Sequence, residues 1–506
     1  MPVLSPRCRQ EPASRYPNLD RPESRRSLGG RLASAVRRRA AYAWSCLTVG
    51  DRQAAAEASF DWLARHGGEQ GVPATAGQTH GCPGVTGGSI ETAVRFGARD
   101  VAHRWARWLM STQQADGSWP GPASGAASVF NTAQAARGLL AIESELAEVQ
   151  PAAMSACGHI EKQLCNIDSG VGRRRLPPLW CLPPLLEAAR RYSRADWATS
   201  ARRTLVRFRR DSDPIRSNLP PHLLAWWIDA LADCDCRDAA AEAMRLPDVL
   251  QRRDGSVPAV SSGTWVSSTS LAHLACCWYK LGRRDRADSA MQYLARRQGP
   301  SGGFRGVWER GGWGRGGWGR GAWGRDDWHD CETCADGVAS DEEVAWAAKH
   351  YLDAALLQVQ TAFDAEQLDL PNHIDPADGR VRAVRRWFAD LSDDARVADV
   401  GCGKGRFLRH LAAWFPAARL TGIDISTPLL AHLPDATAAM RGNLLCVPAA
   451  DGAFDGAFAV ESLEHALLPR RAVGELCRIV RPGGRVLIID KHLARQPLCE
   501  HKPWER

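Results

Sequence analysis

Two hydrophobic patterns divide this chain. In its first two thirds, apolar residues recur at helical spacing in segments 133–142, 179–192, 222–231, 269–281 and 344–357. Polar, glycine-rich turns separate them and repeat. Gln113, Asp116, Gly117, Ser118 and Trp119 are echoed by Gln251, Asp254, Gly255, Ser256 and Val257, and again by Gln298, Ser301, Gly302, Gly303 and Phe304. A fainter copy runs from Trp62 to Gly71, and weak ones fit near 163–170 and 207–211. The offsets predict six units of about 46 residues, each two helices and a turn. One such unit cannot bury its apolar face, so neighbours must stack, and six pairs can close into a ring around a cavity. Within each turn the acid caps, the glycine bends, and the next apolar residue packs on the adjoining pair.

From about residue 380 the pattern changes. Short apolar runs near 397–400, 420–424, 455–460 and 485–489 alternate with helix-spaced segments 406–415 and 472–480. That alternation predicts an α/β unit with a parallel sheet. Its first strand runs into Asp399, Gly401, Cys402, Gly403 and Gly405, and its second ends on Asp424 and Ile425. Three alternate glycines let the backbone turn sharply and approach a ligand closely. A carboxylate 19 residues beyond Gly405 can accept both hydroxyl protons of a ribose. The pair predicts a nucleotide-type cofactor. A pyrophosphate binder would avoid an acid two residues before the first glycine, because its anion needs the helix N-terminus.

The order D-x-G-x-G-x-G, then Asp424, Asn443-Leu444, Asp451 to Asp455, Glu461 and Arg481-Pro482-Gly483-Gly484, resembles the class I S-adenosyl-L-methionine-dependent methyltransferases, in their type 11-like subgroup. The likeness covers roughly a quarter of the chain. It implies a Rossmann-like domain with Asp399, Gly401, Cys402, Gly403, Gly405, Asp424, Ile425, Asn443, Leu444 and Glu461 around the cofactor. Asp399 would face the methionine ammonium end, and an acid or amide in the Asn443 region the adenine. His465 and Glu461 follow the fourth strand, where a substrate meets the methyl group; His465 can serve as a general base, and the acids can equally cap a helix. Family sheets end in a further hairpin. Here 17 residues follow Ile489, so a sheet truncated after its fifth strand is expected, with an exposed edge. Either a partner covers that edge, the gene is truncated, or the domain is degraded.

The repeat resembles the α/α toroids of terpenoid cyclases and protein prenyltransferases. Cyclase chemistry would need an Asp-x-Asp-Asp motif; the nearest segment, Asp233-Cys234-Asp235, lacks the last acid. His273, Cys276 and Cys277 share one helix and read as core, and the single pair Cys331–Cys334 lacks further ligands, so no metal is expected. Trp308, Trp313, Trp318, Trp323 and Trp328 recur every five residues, a period that matches neither helix nor strand. They read as an expanded loop.

Charge and composition change this picture little. The net charge is +8, but residues 1–40 hold ten Arg against Glu11, Asp20 and Glu23, so the rest is nearly neutral and nucleic-acid binding is not expected. No apolar run is long enough to span a bilayer. Sixteen scattered cysteines without a secretory signal fit reduced thiols in the cytoplasm. The expected organisation is multidomain: a disordered leader 1–44, an all-α toroid 45–357 with the insert 307–337, a linker 358–379, and a methyltransferase domain 380–506. The expected activity is methyl transfer to a small molecule or glycolipid or saccharide-type acceptor. The alternatives are a non-catalytic S-adenosylmethionine- or ligand-binding protein and a terpenoid cyclase-like enzyme.

Overall fold

The computed structural model describes residues 49–121, 125–168, 178–211, 221–259, 263–308, 342–366 and 370–490. The leader 1–44, all of the tryptophan insert beyond Trp308, the Cys331–Cys334 pair and the segment 491–506 lie outside the described residues, and with them the expected missing hairpin.

Six helices form an inner layer: α2 (Pro83–Arg95), α4 (Val129–Ile142), α6 (Leu182–Arg191), α8 (Pro221–Asp233), α11 (Ser268–Lys280) and α13 (Ala345–Glu366). Each touches the next, and α13 touches α2, so the order is cyclic. The outer layer is α1 (Val49–His66), α3 (Arg99–Thr112), α5 (Gln150–Asp168), α7 (Ala195–Asp211), the short pair α9 (Arg237–Ala243) and α10 (Arg245–Leu250), and α12 (Arg284–Ala295). Composition explains the layering. Every residue of α11 from Ser268 to Tyr279 is buried, whereas α3 buries only one stripe, Val101, Ala102, Trp105, Ala106 and Leu109. Serine starts two of the inner helices: Ser128 accepts a hydrogen bond from the Asn131 amide, and Ser267 one from Ser270.

The repeated turns carry repeated hydrogen bonds. Asp116 Oδ1 accepts from the Ser118 amide at 3.0 Å, and Asp254 Oδ1 from the Ser256 amide at 3.1 Å. Gly117, Gly255 and Gly302 adopt φ of 85°, 92° and 96°, a region that disfavours any side chain. Each glutamine donates to the outer helix of the following unit: Gln113 to Ala152 O at 3.0 Å, Gln251 to Arg286 O at 2.9 Å, and Gln298 to Ala55 O at 2.9 Å. The third bond ties the last copy to α1. The weak copies near 163–170 and 207–211 are corrected: Gln163 lies inside α5, and 207–211 is the last turn of α7. Their helical periodicity outweighed two or three chance polar matches.

The linker expected at 358–379 is also corrected. Helix α13 runs on to Glu366 without a break, because Leu356, Val359 and Phe363 continue its apolar stripe into the second unit. That unit opens with α14 (Gly379–Phe388), capped by Asp378, whose Oδ1 accepts from the Arg380 amide at 2.8 Å. Its sheet has strands β1 (Arg396–Val400), β2 (Arg419–Asp424), β3 (Thr437–Arg441), β4 (Phe454–Val460) and β5 (Val480–Ile489). They are all parallel, in the order β3-β2-β1-β4-β5. Helices α15 (Arg406–Trp414), α16 (Thr427–Leu430) and α17 (Pro469–Ile479) make the crossovers. The segment Arg481–Gly484 loops out within β5, as the pairing jumps from Phe454–Val480 to Gly456–Arg485. Strand order reverses beside β1, so a crevice opens there at the strands' carboxyl ends.

Candidate functional site

At that crevice β1 ends on three glycines with left-handed backbone: Gly401 at φ 79°, Gly403 at 55° and Gly405 at 72°. They do different work. A Cβ on Gly401 would lie 2.5 Å from Ser462 Cβ, and one on Gly405 2.6 Å from Leu433 Cδ2. A Cβ on Gly403 would meet no atom within 4 Å, so this residue faces open space. Asp424, at the end of β2, closes on the loop. Its Oδ2 accepts from the Gly403 amide at 2.8 Å, and its Oδ1 from the Ser426 amide at 2.9 Å. Burial raises its pKa against the pull of those two amides.

Gly401, Cys402, Gly403, Asp424, Ile425, Asn443, Leu444, Glu461 and His465 all line one pocket, whose open volume is about 120 Å³. Asp399 is not on that wall. Its carboxyl is 1 % exposed, and Oδ2 has no hydrogen-bond partner among the described residues. Burial pushes its pKa well above the ordinary carboxylate value; Arg406 pulls it down and Asp424 pushes it further up. Asn443 is engaged structurally. Its carbonyl accepts from the Leu445 amide at 2.6 Å and the Cys446 amide at 3.0 Å, while its amide donates to Arg95 O at 3.1 Å in the helical ring.

Glu461 has φ of 53°, a left-handed conformation that costs a non-glycine residue on the order of 1–3 kcal/mol. Two arginines hold it there: Arg380 at 2.5 Å and Arg406 at 2.7 Å. A carboxylate so paired is a poor proton acceptor. His465 is freer. Its ring lies 5.0 Å from that of Phe363, nearly perpendicular, and Nε2 is 3.4 Å from Glu464. Phe363, Leu356 and Val359 all come from α13, and Asp364 of the same helix accepts from Ser426 Oγ at 2.7 Å. Val359 and Phe363 were not expected at the site, because the stretch 358–379 read as linker. The apolar spacing of Leu356, Val359 and Phe363 was the available signal. From α1, Gln53 clamps the far side, donating to Glu464 O at 3.0 Å and Ala466 O at 2.8 Å.

Among the described residues Asp229, His273 and Cys277 bring possible metal-ligand atoms within 4.8 Å of one another. The Lys280 ammonium lies 2.8 Å from Asp229, and burial raises the Cys277 thiol well above its usual pKa. Lys280 thus supplies Asp229 with a counter-charge inside the protein. No helix among the described residues is long and apolar enough to cross a membrane.

Comparison with known proteins agrees with the layout of the crevice. Residues 398–488 match the family described as a methyltransferase domain. An O-methyltransferase (cnsE) of Penicillium expansum is 34% identical over 103 residues, 19% of this chain and 37% of that protein. An O-methyltransferase (resE) of Aspergillus sclerotiorum is 35% identical over 120 residues, 22% of this chain and 45% of that protein. The chain thus spans less than half the length of these two relatives. A glycosidase solved with glucose aligns with 61% of this chain and 97% of its own at 11% identity, with a TM-score of 0.44.

Proposed function

We propose that this chain is an S-adenosyl-L-methionine-dependent methyltransferase acting on a small-molecule acceptor, with the helical ring, read as an α/α toroid, serving as its binding or scaffold unit. One observation carries the reading: Asp424 and the Gly403 amide meet at 2.8 Å on the pocket wall, beside the open space in front of Gly403. S-adenosylmethionine, when bound, supplies an electrophilic methyl group on a sulfonium. The chain's residues do the rest. Asp424 accepts from the ribose hydroxyls, and a carboxylate has lone pairs to spare beyond its two amide bonds. Ile425 and Leu444 offer apolar surface to the adenine. The orphaned Oδ2 of Asp399 sits behind the wall rather than on it, and pairs with the ammonium group once the glycine loop opens around the donor. His465 takes the acceptor's proton, while Glu461 holds Arg380 and Arg406 in place. Because methyl transfer depends mainly on alignment, the apolar wall of Phe363 and Val359 contributes by excluding water and confining the acceptor.

Titration calorimetry with S-adenosylmethionine tests this, with Asp424→Ala as control. Saturable heat in the wild type and loss in the variant are expected; no heat in the wild type overturns the reading. His465→Asn should retain donor binding and lose turnover. A non-catalytic donor-binding protein is the second reading. It is favoured by Glu461, whose pairing with two arginines removes one acid from proton transfer. Turnover unchanged in His465→Asn would refute the base role. Donor binding without turnover on any methyl acceptor would select the second reading.

A further inference from the structure

The proposed function leaves Lys404 unused. It sits between Gly403 and Gly405, is 8 % exposed and lines the donor pocket. Its ammonium group makes no ion pair and no hydrogen bond among the described residues. Unlike Asp399 Oδ2, that group is not sealed inside the protein, and the open space it lines is the pocket. A lysine taken so far out of water normally acquires a counter-charge, because an unpaired cation is costly to desolvate.

The surrounding cations show the contrast. Arg406, on the same pocket wall, is held by Glu461 at 2.7 Å. The helical ring encloses a second cavity, of about 960 Å³, which meets the donor pocket along Leu356, Ile425, Gly442 and Asn443. Its buried and half-buried cations are all paired. Arg137 bonds Asp233, Lys280 holds Asp229 at 2.8 Å, Lys349 holds Asp353 at 2.8 Å, and Arg284 lies 3.5 Å from Asp288. Arg237 and Arg441 have no carboxylate partner among the described residues, but both are exposed. Of the lysines and arginines lining the two cavities, Lys404 alone is buried without a carboxylate.

Its place in the loop selects the partner. Helix α15 begins two residues on, and the amides of its first turn have no intrahelical acceptor, so an anion beside Lys404 also meets the positive end of that helix. Asp399, of opposite sign when ionised, lies five residues earlier in the chain. An amino-acid tail carries an ammonium and a carboxylate on one carbon, and so answers both. We propose that Lys404 anchors the carboxylate of the donor's amino-acid end and makes the pocket select S-adenosyl compounds that keep this carboxylate over those that lack it. The inference rests on the methyltransferase reading and adds a specificity to it.

Calorimetry on the full chain with three probes tests it. The probes are S-adenosylhomocysteine, its decarboxylated analogue, which keeps the ammonium, and methylthioadenosine, which lacks both groups. Wild type should bind S-adenosylhomocysteine about tenfold or more tighter than the decarboxylated analogue, the worth of one charge-assisted hydrogen bond. Lys404→Met and Lys404→Gln should each shrink that preference by about the same factor and leave methylthioadenosine unchanged, while Lys404→Arg keeps the preference. A variant that merely loses stability weakens all three probes together and leaves their ratio alone. Unchanged S-adenosylhomocysteine affinity in Lys404→Met, equal weakening of all probes in both Met and Gln variants, or a wild type indifferent to the carboxylate each overturns the proposal. If any of these occurs while methylthioadenosine binds wild type and is lost in Asp424→Ala, the donor pocket stands and only the role of Lys404 falls. Failure of wild type to bind any probe overturns the proposed function and this inference with it.

Discussion

Asp399→Asn separates the two roles that a buried carboxyl can play. The group is 1 % exposed, Oδ2 has no hydrogen-bond partner among the described residues, and its pKa stands well above the ordinary value because burial disfavours the charge. In the unfolded chain the same group titrates near ~3.9. Above that pH the unfolded chain releases a proton that the folded chain keeps. Stability therefore falls as pH rises, by up to ~1.4 kcal/mol per unit, until the folded pKa is passed. Asparagine matches the neutral carboxyl in shape and removes this dependence. The variant should be as stable as the wild type near pH 4 and more stable at higher pH, a difference read from thermal melts across pH 4–8.

Donor binding should respond in the opposite sense. An ammonium group set against Asp399 favours the ionised form, so binding expels a proton and affinity rises with pH, at most tenfold per unit. Between pH 5 and 7 the ligand's own amine, with a pKa of about 8, stays charged. Calorimetry in two buffers of different ionisation enthalpy would count the released proton directly. In Asp399→Asn the release should vanish, and affinity should drop by ~1.5–3 kcal/mol, the usual worth of a hydrogen bond to a charged group, or about 10- to 150-fold. Buffer-independent heats in the wild type, or unchanged affinity in the variant, would refute the reasoning.

Other perturbations test the scaffold. Gln298→Ala removes bonds to Ala55 O and Gly302 O, and should cost ~1–3 kcal/mol and several degrees of melting temperature, as Gln113→Ala should in the first turn. Gly403→Ala and Gly405→Ala both place a side chain in left-handed backbone, at ~1–2 kcal/mol each. Only the second also overlaps Leu433, so urea melts should rank Gly405→Ala as less stable, while calorimetry shows Gly403→Ala folded but weaker for donor. Glu475, 6 % exposed, accepts from the Val447 amide at 2.7 Å and pairs with Arg478 at 2.6 Å. Glu475→Ala leaves the Val447 amide without its acceptor, while Arg478 keeps Ala449 O, Val447 O and Asp451, and should cost ~1–3 kcal/mol in chemical denaturation.

What the sequence made legible follows from how local each constraint is. The glycine loop and Asp424 are readable because left-handed backbone and close approach admit almost no other residue. The turns at Gln113, Gln251 and Gln298 are readable for the same reason, since the acid or serine, glycine and glutamine each make a fixed bond within four residues or to the next helix. Glu461 was placed at the pocket, but its pairing was not legible, because the arginines that hold it come from 55 and 81 residues away in sequence. A cavity within the ring was expected from the repeat, but its charged lining was not legible. Glu91, Arg137, Asp229, Lys280 and Asp353 sit on five different helices, and no spacing rule joins them. Where His273 and Cys276 read as plain core, the missing information was that their helix turns one face to a charged lumen.

Helix α13 joins the two cavities and limits how they can cooperate. Lys349, His350 and Asp353 face the ring cavity, Leu356 lines both, and Phe363 lies against His465 in the donor pocket. At 1.5 Å per residue, the thirteen steps from His350 to Phe363 span about 20 Å. A small ligand beside His273 and His350 cannot reach His465 across that distance. Two arrangements satisfy it: one elongated acceptor with one end in the ring, or two separate ligands sharing a common wall. They differ in one measurable way. For an elongated acceptor, a small molecule held in the ring cavity should compete with substrate and raise KM alone. For separate ligands it should leave KM for the acceptor unchanged, and any effect passes through the shared lining of Leu356, Ile425, Gly442 and Asn443 or through the Asp364–Ser426 bond, which touches the Asp424 end of the donor site. Asp364→Asn weakens that bond and should then change the small molecule's effect on donor affinity. If the small molecule and donor remain independent in both wild type and variant, and KM does not move, the cavities share only a wall.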